Sequence, residues 1–269
     1  MPMKIEKIIG LVGNEFGNEG VEELLRRSRT PLGKALKGIR RPDAAVGIVK
    51  SPLGDLLIAL SGRGIVLNHY LLGGSDLAAV IAGLRLKLDL VADPRMIEEV
   101  GAEIRRYVAG EAKALRQNID LTLVTSSFQN QVLRKLEEIP RGALVSYQGL
   151  AAAAGAPKGA RAVGNALHNN PVAIYVPCHR VVASDGRIGG YGGGVERKLQ
   201  LLRSEGFALA DADVRLPDNV VWGHKGTRIY CRRDCRTAAR VDRARVVFFA
   251  GANEAKQAGM RPCKVCRPG

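Results

Sequence analysis

Four of the five cysteines fall into two closely spaced pairs, Cys231 with Cys235 and Cys263 with Cys266, and 27 residues separate the pairs. Two short thiol pairs, each on a turn, suit one tetrahedral zinc ion that takes two ligands from each pair. A segment of about fifty residues is too small for a self-sufficient apolar core. The spacing therefore predicts a module, residues 218–269, that a single zinc ion holds together.

The compartment decides between a metal site and disulfides for these thiols. Residues 1–13 alternate Lys and Glu with aliphatic side chains and lack the long apolar centre of a secretory signal. No apolar run approaches the ~20 residues that a bilayer span needs. We therefore expect a cytoplasmic protein with no membrane partner, in which thiols stay reduced and zinc is favoured.

The charge balance points to a polyanionic partner. The 269-residue chain has 41 Lys and Arg against 26 Asp and Glu, a net charge of +15, and residues 218–269 alone carry +8. Nucleic acid is the natural partner of such a chain, although a merely solubilising basic surface is the alternative. Aromatic residues make up only 4%, too few for a platform that stacks single-stranded bases, which favours duplex DNA.

Hydrophobic patterning predicts a small α/β domain at residues 45–125. Apolar runs separated by turn residues indicate an antiparallel sheet, and two helices follow, the second opened by Asp93 with Pro94 at its first position. Residues 1–44 precede this domain as an extension without an assigned role. The predicted strands are 46–49, 56–60, 64–67 and 119–124, and the predicted helices are 77–88 and 96–108.

A different pattern, rich in short helices, occupies residues 126–207. A helix from Ser127 stops at Pro140, and two shorter helices, 147–154 and 159–168, flank a tight turn as in a helix-turn-helix. Small residues on the last helix would let its backbone approach another surface, although packing against a neighbouring helix explains them as well. A linker at 208–217 is expected before the zinc module.

The fifth cysteine, Cys178, follows an apolar run, 174–176, that predicts a strand. A lone cysteine there is usually an inert core residue, but His179 is adjacent. Neighbours on a strand point to opposite faces, so contact between thiol and imidazole requires a turn or a bridging water. If an acid then holds the imidazole, the thiol can lose its proton and become a nucleophile. The glycines at 189–194 fit no nucleotide-binding spacing and indicate a loop that closely approaches a ligand.

Several motifs occur in order between Phe128 and Gly206. They are Ser146-Tyr147-Gln148, Ala160-Arg161-Ala162-Val163-Gly164, Asn170-Pro171, the run Pro177 to Val182, Gly190-Tyr191 and Glu205-Gly206. Together they resemble the O6-alkylguanine-DNA alkyltransferase family, and the sheet near Ser51-Pro52-Leu53-Gly54 is similar to its N-terminal domain. The resemblance implies an α+β chain with a ribonuclease-H-like N-terminal domain and a winged helix-turn-helix domain that contains the active site.

The resemblance also implies a reaction, direct-reversal DNA repair in a single turnover. Cys178 would accept the alkyl group from the guanine oxygen, and Glu205, His179 and a bridging water would deprotonate its thiol. Tyr147 would donate its hydroxyl proton to the departing guanine. Asn170 would join the recognition helix to the active-site turn.

Duplex binding would accompany this reaction, because the target base must be flipped out of the stack. By similarity Arg161 would fill the gap left by the base, while Ala160 and Gly164 lie in the minor groove. Backbone groups of Cys178 and Val181 would hold the guanine edge. Two further residues would border the pocket: Tyr191 as a wall, and Gly192 where the family often has a hydroxyl residue. Asn165 departs from the family as well, since a smaller residue is frequent at its position.

Residues 226–235, with Glu254-Ala255, Ala258-Gly259 and Arg261 to Pro268, resemble the zinc module of the adaptive-response (Ada) protein. In that family the first ligand thiolate, here Cys231, accepts methyl from methylphosphotriesters. This copy follows the alkyltransferase segment instead of preceding it, and no second helix-turn-helix of the activator type is present. A zinc site that holds structure while arginines bind phosphate is therefore favoured over methyl acceptance.

Two other functions are compatible with a Cys-His pair. A protein that recognises alkylated DNA without repairing it would not need the thiol of Cys178. A Cys/His hydrolase would need an oxyanion site and would regenerate its thiol. The expected protein is a monomer that acts on double-stranded DNA carrying alkylated guanine.

Overall fold

The structure is a computed structural model that describes residues 43–71, 74–210, 214–237 and 241–268. The predicted extension, apart from its last two residues, lies outside these ranges. The chain forms two compact units: one runs to Arg105 and includes Leu115–Leu123, and the other combines Arg106–Ala114 with the chain from Val124 onward. Both contain helices and strands, which confirms the α+β class. Among the helices of the described residues, none combines the length and the hydrophobicity that a bilayer span requires.

A four-stranded sheet in the order β3-β2-β1-β4 is the centre of the first unit. Its strands are β1 (Asp43–Ser51), β2 (Gly54–Ser61), β3 (Gly64–Tyr70) and β4 (Asp89–Val91). The first three form the predicted antiparallel sheet. The fourth strand, which sequence patterning missed, runs parallel to β1.

Two helices, α1 (Gly74–Arg85) and α2 (Pro94–Val108), pack on this sheet. Neighbouring residues of a strand face opposite sides. Val46 joins an apolar cluster that includes residues of α1, whereas Val49 contacts α2 on the other face. A Cβ atom at Gly101 would lie 2.6 Å from a methyl group of Val49, so glycine permits the close approach of α2.

The strand predicted at 119–124 is wrong. Ile119 makes only an isolated bridge to Ile65. The carboxylate of Asp120 accepts hydrogen bonds from the backbone N–H of Thr122 at 3.0 Å and from the hydroxyl of Ser61 at 2.7 Å. A carboxylate that binds the backbone two residues onward favours a turn over an extended strand.

The helices predicted from Ser127, at 147–154 and at 159–168 are present in the second unit. Ser146 begins the helix-turn-helix segment as expected, since its hydroxyl accepts a hydrogen bond from the N–H of Gly149 at 2.9 Å. The helices are α3 (Ser127–Glu137), α4 (Tyr147–Ala153), α5 (Ala160–His168), α6 (Val195–Ser204) and α7 (Ala252–Gln257), with 3-10 turns at Cys178–Arg180 and Arg243–Arg245.

One six-stranded sheet joins the helix-turn-helix segment to the cysteine-rich module. The strands are β5 (Ala143–Ser146), β6 (Val181–Val182), β7 (Val221–His224), β8 (Ile229–Arg232), β9 (Val246–Phe249) and β10 (Arg261–Pro262). Their order is β10-β8-β7-β9-β5-β6. Strand β5 therefore pairs with β6 on one side and with β9, from between the two cysteine pairs, on the other.

Two residues of the predicted linker, 208–217, belong to the apolar core of this unit. Leu209 and Leu216 are buried in a cluster that also contains Leu199 of α6 and Cys231 of β8. The N–H of Leu216 donates to the carbonyl of Gly186 at 2.8 Å. The apolar core thus extends from helix α6 to the thiols of Cys231, Cys235 and Cys263.

Candidate active site and metal centre

Cys178 lies in a 3-10 turn, Cys178–Arg180, and not at the end of a strand. The strand predicted at 174–176 is wrong, because the chain bends there and Ile174 has a φ of 74°. A β-branched residue in the left-handed region is strained, so the surrounding contacts must enforce the bend. The turn that a Cys-His contact requires is therefore present.

Asn170 supplies those contacts. Its side-chain amide donates to the carbonyl of Val176 at 3.0 Å and to Sγ of Cys178 at 3.3 Å. Its side-chain oxygen accepts from the N–H of Val172 at 3.0 Å. Asn170 lies two residues after the end of α5, and its hydrogen bonds connect the segment after that helix to the thiol of Cys178.

A cavity of about 330 Å³ opens beside the thiol, which is 8% exposed. This volume is in the range of small-molecule sites. Five residues singled out in the sequence line the cavity, namely Tyr147, Gly164, Cys178, Tyr191 and Gly192. Gly190, from the glycine-rich stretch at 189–194, also lines it.

His179 and Glu205 form a buried pair behind this turn. Nε2 of His179 lies 2.8 Å from Oε1 of Glu205, and neither side chain is exposed. Because a carboxylate can only accept, Nε2 carries the proton of the neutral imidazole. Nδ1 of His179 is buried and has no hydrogen-bond partner in the described part of the chain. It is the ring atom that remains available as a base.

Electrostatics hold this pair in a defined state. Burial by itself would raise the pKa of Glu205, but the charges and hydrogen bonds of His179 and Arg180 outweigh it and hold the pKa well below its usual range. Burial lowers the pKa of His179, despite the opposing pull of Glu205. We therefore expect an ionised Glu205 and a neutral His179 near pH 7.

Arg180 was not singled out in the sequence as part of the site. Its Nε atom donates to both carboxylate oxygens of Glu205 at 3.0 Å, and Nη2 donates to Oε1 at 2.8 Å. Such multidentate pairing fixes the orientation of a carboxylate.

Lys198, on α6, is a second residue that sequence reasoning missed. Its buried Nζ donates to the carbonyl of Val181 at 2.7 Å and also to those of Ile188 and Gly190. Burial lowers the pKa of Lys198 to about 8, partly offset by the nearby Cys178. The sequence offered a signal for Lys198, since it precedes Glu205 by seven residues, or about two helical turns. That spacing places both residues on one side of the helix.

The thiol itself is protonated in the resting site. Burial raises the pKa of Cys178, while the amide of Asn170 and the charge of Lys198 work in the opposite direction. Burial and the proximity of Cys178 raise the pKa of Tyr147 as well, so its hydroxyl remains a proton donor. The cavity thus combines a thiol that needs a base with a phenol that can act as an acid.

The residues predicted to contact DNA are less closely grouped. Arg161 is exposed on α5, and Ala160 at the start of that helix is partly exposed. Gly164 reaches the cavity. Val181 is buried in β6, where its N–H donates to the carbonyl of Cys178 and its own carbonyl accepts from Lys198. Each of these two carbonyls keeps a second lone pair for another donor.

The four remaining cysteines converge in the structure. The sulfur atoms of Cys231, Cys235, Cys263 and Cys266 all lie within 4.8 Å of one another. Strand β10 runs parallel to β8 and brings the second cysteine pair to the first. An all-thiol set at this spacing matches a tetrahedral zinc site.

Hydrogen bonds to sulfur support this site. The backbone N–H of Arg232 donates to Sγ of Cys266, and that of Val265 donates to Sγ of Cys263, both at 3.4 Å. The hydroxyl of Thr237 lies 3.0 Å from Sγ of Cys235. Donors around the ligands stabilise thiolates and orient them toward a metal.

Comparisons with protein families give two matches within the second unit, one for the segment around Cys178 and one for the cysteine-rich segment. Residues 127–207 match the family described as 6-O-methylguanine DNA methyltransferase, DNA binding domain. Residues 207–269 match the metal binding domain of Ada. The donor set and the family match together make the four cysteines a zinc site.

Individual relatives agree with this assignment. A methylated-DNA-protein-cysteine methyltransferase of Mycolicibacterium paratuberculosis is 40% identical over 157 residues, which are 58% of this chain and 89% of the relative. The bifunctional transcriptional activator/DNA repair enzyme Ada of Escherichia coli is 40% identical over 185 residues, 67% of this chain and 51% of its own length.

Solved structures give the same result. The O6-methylguanine methyltransferase of Mycobacterium tuberculosis is 34% identical, with a TM-score of 0.52 over 63% of this chain and 96% of its own. The Mycobacterium tuberculosis OGT solved in complex with DNA gives 34% identity and a TM-score of 0.50, over 61% of this chain and 92% of its own. The chain therefore belongs to the methylated-DNA-protein-cysteine methyltransferase family, with a zinc-binding segment of the Ada type after its alkyltransferase segment.

Proposed function

We propose that this chain repairs duplex DNA by transferring an alkyl group, above all methyl, from the guanine O6 oxygen to Sγ of Cys178. One observation carries the proposal: the thiol borders a cavity while the buried His179–Glu205 pair lies behind the same turn. The reaction of the relatives, as their names give it, supports the same chemistry.

Activation of the thiol follows from the proton positions. Nδ1 of His179 is unprotonated and can take the thiol proton of Cys178 through a bridging water. The imidazolium that forms is stabilised by the ionised Glu205, whose carboxylate is already held in place by His179 and Arg180. The base therefore needs no reorganisation when the substrate arrives.

The transfer is a single displacement. A bond forms between Sγ of Cys178 and the alkyl carbon while the bond from that carbon to the guanine oxygen breaks, and its electron pair stays on the base. Tyr147 donates its proton to a ring nitrogen, so that guanine leaves as a neutral molecule, and the proton now on His179 returns to the tyrosinate through solvent. The thioether product is stable, which limits each molecule to one turnover.

Substrate binding requires the target base to leave the duplex, at a cost of a few kcal/mol. We assign helices α4 and α5 to a winged helix-turn-helix whose second helix enters the minor groove. Arg161 is exposed on α5 and would replace the flipped base in the stack, with Ala160 and Gly164 allowing close approach. The proposal includes a monomer in the cytoplasm and a ribonuclease-H-like first unit.

The zinc module would add affinity for the duplex through phosphate contacts. Its exposed cationic side chains include Lys225, Arg228, Arg232, Arg245, Arg261 and Lys264. Cys231 is only 2% exposed, which supports a structural thiolate over a methyl acceptor. The boundaries 45–125, 126–207 and 218–269 remain our proposal for the family segments.

Incubation with duplex DNA carrying radiolabelled methyl on guanine O6, followed by peptide mapping, tests this function. Label on the Cys178 peptide, absent in Cys178→Ser, is expected. Label retained on the DNA would indicate a recognition protein without transfer, and free label would indicate a hydrolase. The same mapping with methylphosphotriester DNA tests Cys231, whose peptide should stay unlabelled.

A further inference from the structure

Tyr107 is a buried residue that the mechanism above does not use. It lies in the last turn of α2, within the part of the chain that belongs to the second unit, and only 2% of it is exposed. It falls outside residues 127–207, which match the alkyltransferase family. Its hydroxyl nevertheless reaches the carboxylate of Glu205.

The hydroxyl closes a ring of hydrogen bonds with Arg180 and Glu205. Nη2 of Arg180 donates to the Tyr107 hydroxyl at 2.8 Å, and the hydroxyl lies 2.6 Å from Oε1 of Glu205. Because arginine can only donate, the hydroxyl must accept from Arg180 and donate to Glu205. The same Oε1 atom accepts the proton that His179 carries on Nε2.

The Tyr107 hydroxyl keeps its proton near neutral pH. Burial and the negative charge of Glu205 both raise the pKa of Tyr107, so the hydroxyl remains a donor. A donor to a carboxylate stabilises its ionised form and weakens it as a base. A weaker base withdraws less of the proton on Nε2 of His179.

We propose that Tyr107 is a positioning residue for alkyl transfer. It fixes Oε1 of Glu205 against His179 and moderates the basicity of that carboxylate, so that the imidazole keeps its proton on Nε2 and its lone pair on Nδ1. This inference rests on the proposed function and names a residue that acts through Glu205 without touching the substrate.

The substitution Tyr107→Phe isolates the hydroxyl. The guanidinium of Arg141 lies over the ring of Tyr107, with Cζ 5.2 Å from the ring centroid. A phenylalanine ring would keep that packing. Tyr230→Phe is the matched control, because Tyr230 is also fully buried but its hydroxyl has no hydrogen-bond partner in the described ranges. Both variants lose one buried hydroxyl, and only the first loses a contact with the active-site pair.

The rate of methyl transfer is measured against pH for the full-length wild type and both variants. With one donor fewer, Glu205 becomes more basic and raises the pKa of His179, so more base is protonated at a given pH. We expect Tyr107→Phe to lower the rate by up to about tenfold on the acid side of the profile, and by less near neutral pH, the effect of one hydrogen bond to a charged group. The acid limb of its profile should move to higher pH, whereas Tyr230→Phe should match the wild type.

The pH profile also depends on the other charged or titratable groups around the imidazole of His179, and neither variant changes any of them. These groups are Glu205, Arg180, Lys198, Cys178 and Tyr191.

Nitrogen-15 NMR of the four histidines gives a readout that does not depend on turnover. In the wild type at pH 7, Nδ1 of His179 should show the shift of an unprotonated ring nitrogen, and in Tyr107→Phe it should move toward the protonated value. An unchanged shift and an unchanged pH profile, with only a lower Tm, would refute the role of Tyr107. A wild type that leaves all label on the DNA would refute the proposed function instead, and the NMR comparison would still stand.

Discussion

Leu144 of strand β5 lies directly opposite Phe248 of strand β9, in an antiparallel pair. The first residue precedes the helix-turn-helix, and the second lies between the two cysteine pairs. Both side chains belong to the apolar cluster that includes Cys231 and Leu202 of α6. Glu205 is the C-cap residue directly after α6, so packing around the zinc ligands is continuous with the helix that places the carboxylate of Glu205.

Removal of zinc should therefore destabilise the alkyltransferase segment as well as the zinc module. Structural zinc binds with roughly 10–16 kcal/mol. If about a third of this stabilises the shared core, Tm falls by roughly 6–20 °C. Thermal unfolding of the full chain after chelation in reducing buffer measures this, and hydrogen exchange at Ala143–Ser146 reports the active-site side of the sheet.

Zinc added back should restore both the Tm and the protection of strand β5, while magnesium should restore neither. If chelation exposes strands β7–β10 but leaves β5 as protected as before, the two segments are stable independently of each other.

Arg161→Ala should impair repair of duplex DNA more than reaction with free alkylated guanine. The side chain that fills the gap offsets part of the few kcal/mol that base flipping costs, so we expect a loss of at least about tenfold on duplex and little change on the free base. Lys158→Ala is the control, since it removes another exposed cation from the same turn region. If Arg161→Ala lowers the rate equally on both substrates, Arg161 does not fill the gap that the flipped base leaves.

Gly192→Ser should accelerate the transfer. A Cβ atom at this position would meet only the carbonyl of His168, at 3.8 Å, so the cavity wall has room for a small side chain. A hydroxyl here could donate to the guanine oxygen as negative charge develops, and one such bond is worth about 1 kcal/mol, or roughly fivefold in rate. Gly192→Ala controls for bulk; equal rates for the two variants would contradict a hydroxyl effect.

Lys198→Met should slow the reaction at pH 7 by about tenfold or more. The ammonium group lowers the pKa of Cys178 and binds the carbonyl of Gly190 in the cavity wall, and methionine provides neither effect. Because the pKa of Lys198 is about 8, its charge is lost as pH rises past 8, and the wild-type rate should level off there. Rate-pH profiles of the wild type and the variant test this. If the rate of Lys198→Met also levels off near pH 8, the plateau arises from another group.

Acid should destabilise the second unit as the pH falls below about 6.5. The pKa values of His179 and Glu205 are both lower in the folded protein than in the unfolded chain. The unfolded chain therefore binds more protons, and the stability from each group is complete above its unfolded pKa and declines as pH falls. The cost per excess proton is up to about 1.4 kcal/mol for each pH unit.

Tm measured from pH 7.5 to 4 checks this expectation, and His179→Gln should lose less stability than the wild type between pH 6.5 and 5. Parallel curves for the two proteins would mean that His179 is not kept neutral by burial.

The sequence alone was sufficient for features that depend on local patterning and on residue chemistry. The helix starts at Ser127 and Tyr147, the three antiparallel strands, the zinc ligands and the candidate acceptor Cys178 all follow from spacing, capping and motif order. The errors at 119–124 and 174–176 have a common cause. In each, a side chain, Asp120 or Asn170, binds the nearby backbone and bends an apolar run that has the pattern of a strand.

Only the tertiary structure revealed how Tyr107, Arg180 and Lys198 surround the active-site pair. Tyr107 is 98 residues from Glu205 in the chain, and no periodicity connects two side chains so far apart. The same holds for the pairing of β5 with β9, which unites segments that family boundaries separate. Local propensity and ligand spacing are encoded along the chain, whereas the partners of a buried polar group depend on which distant surfaces pack together to exclude water.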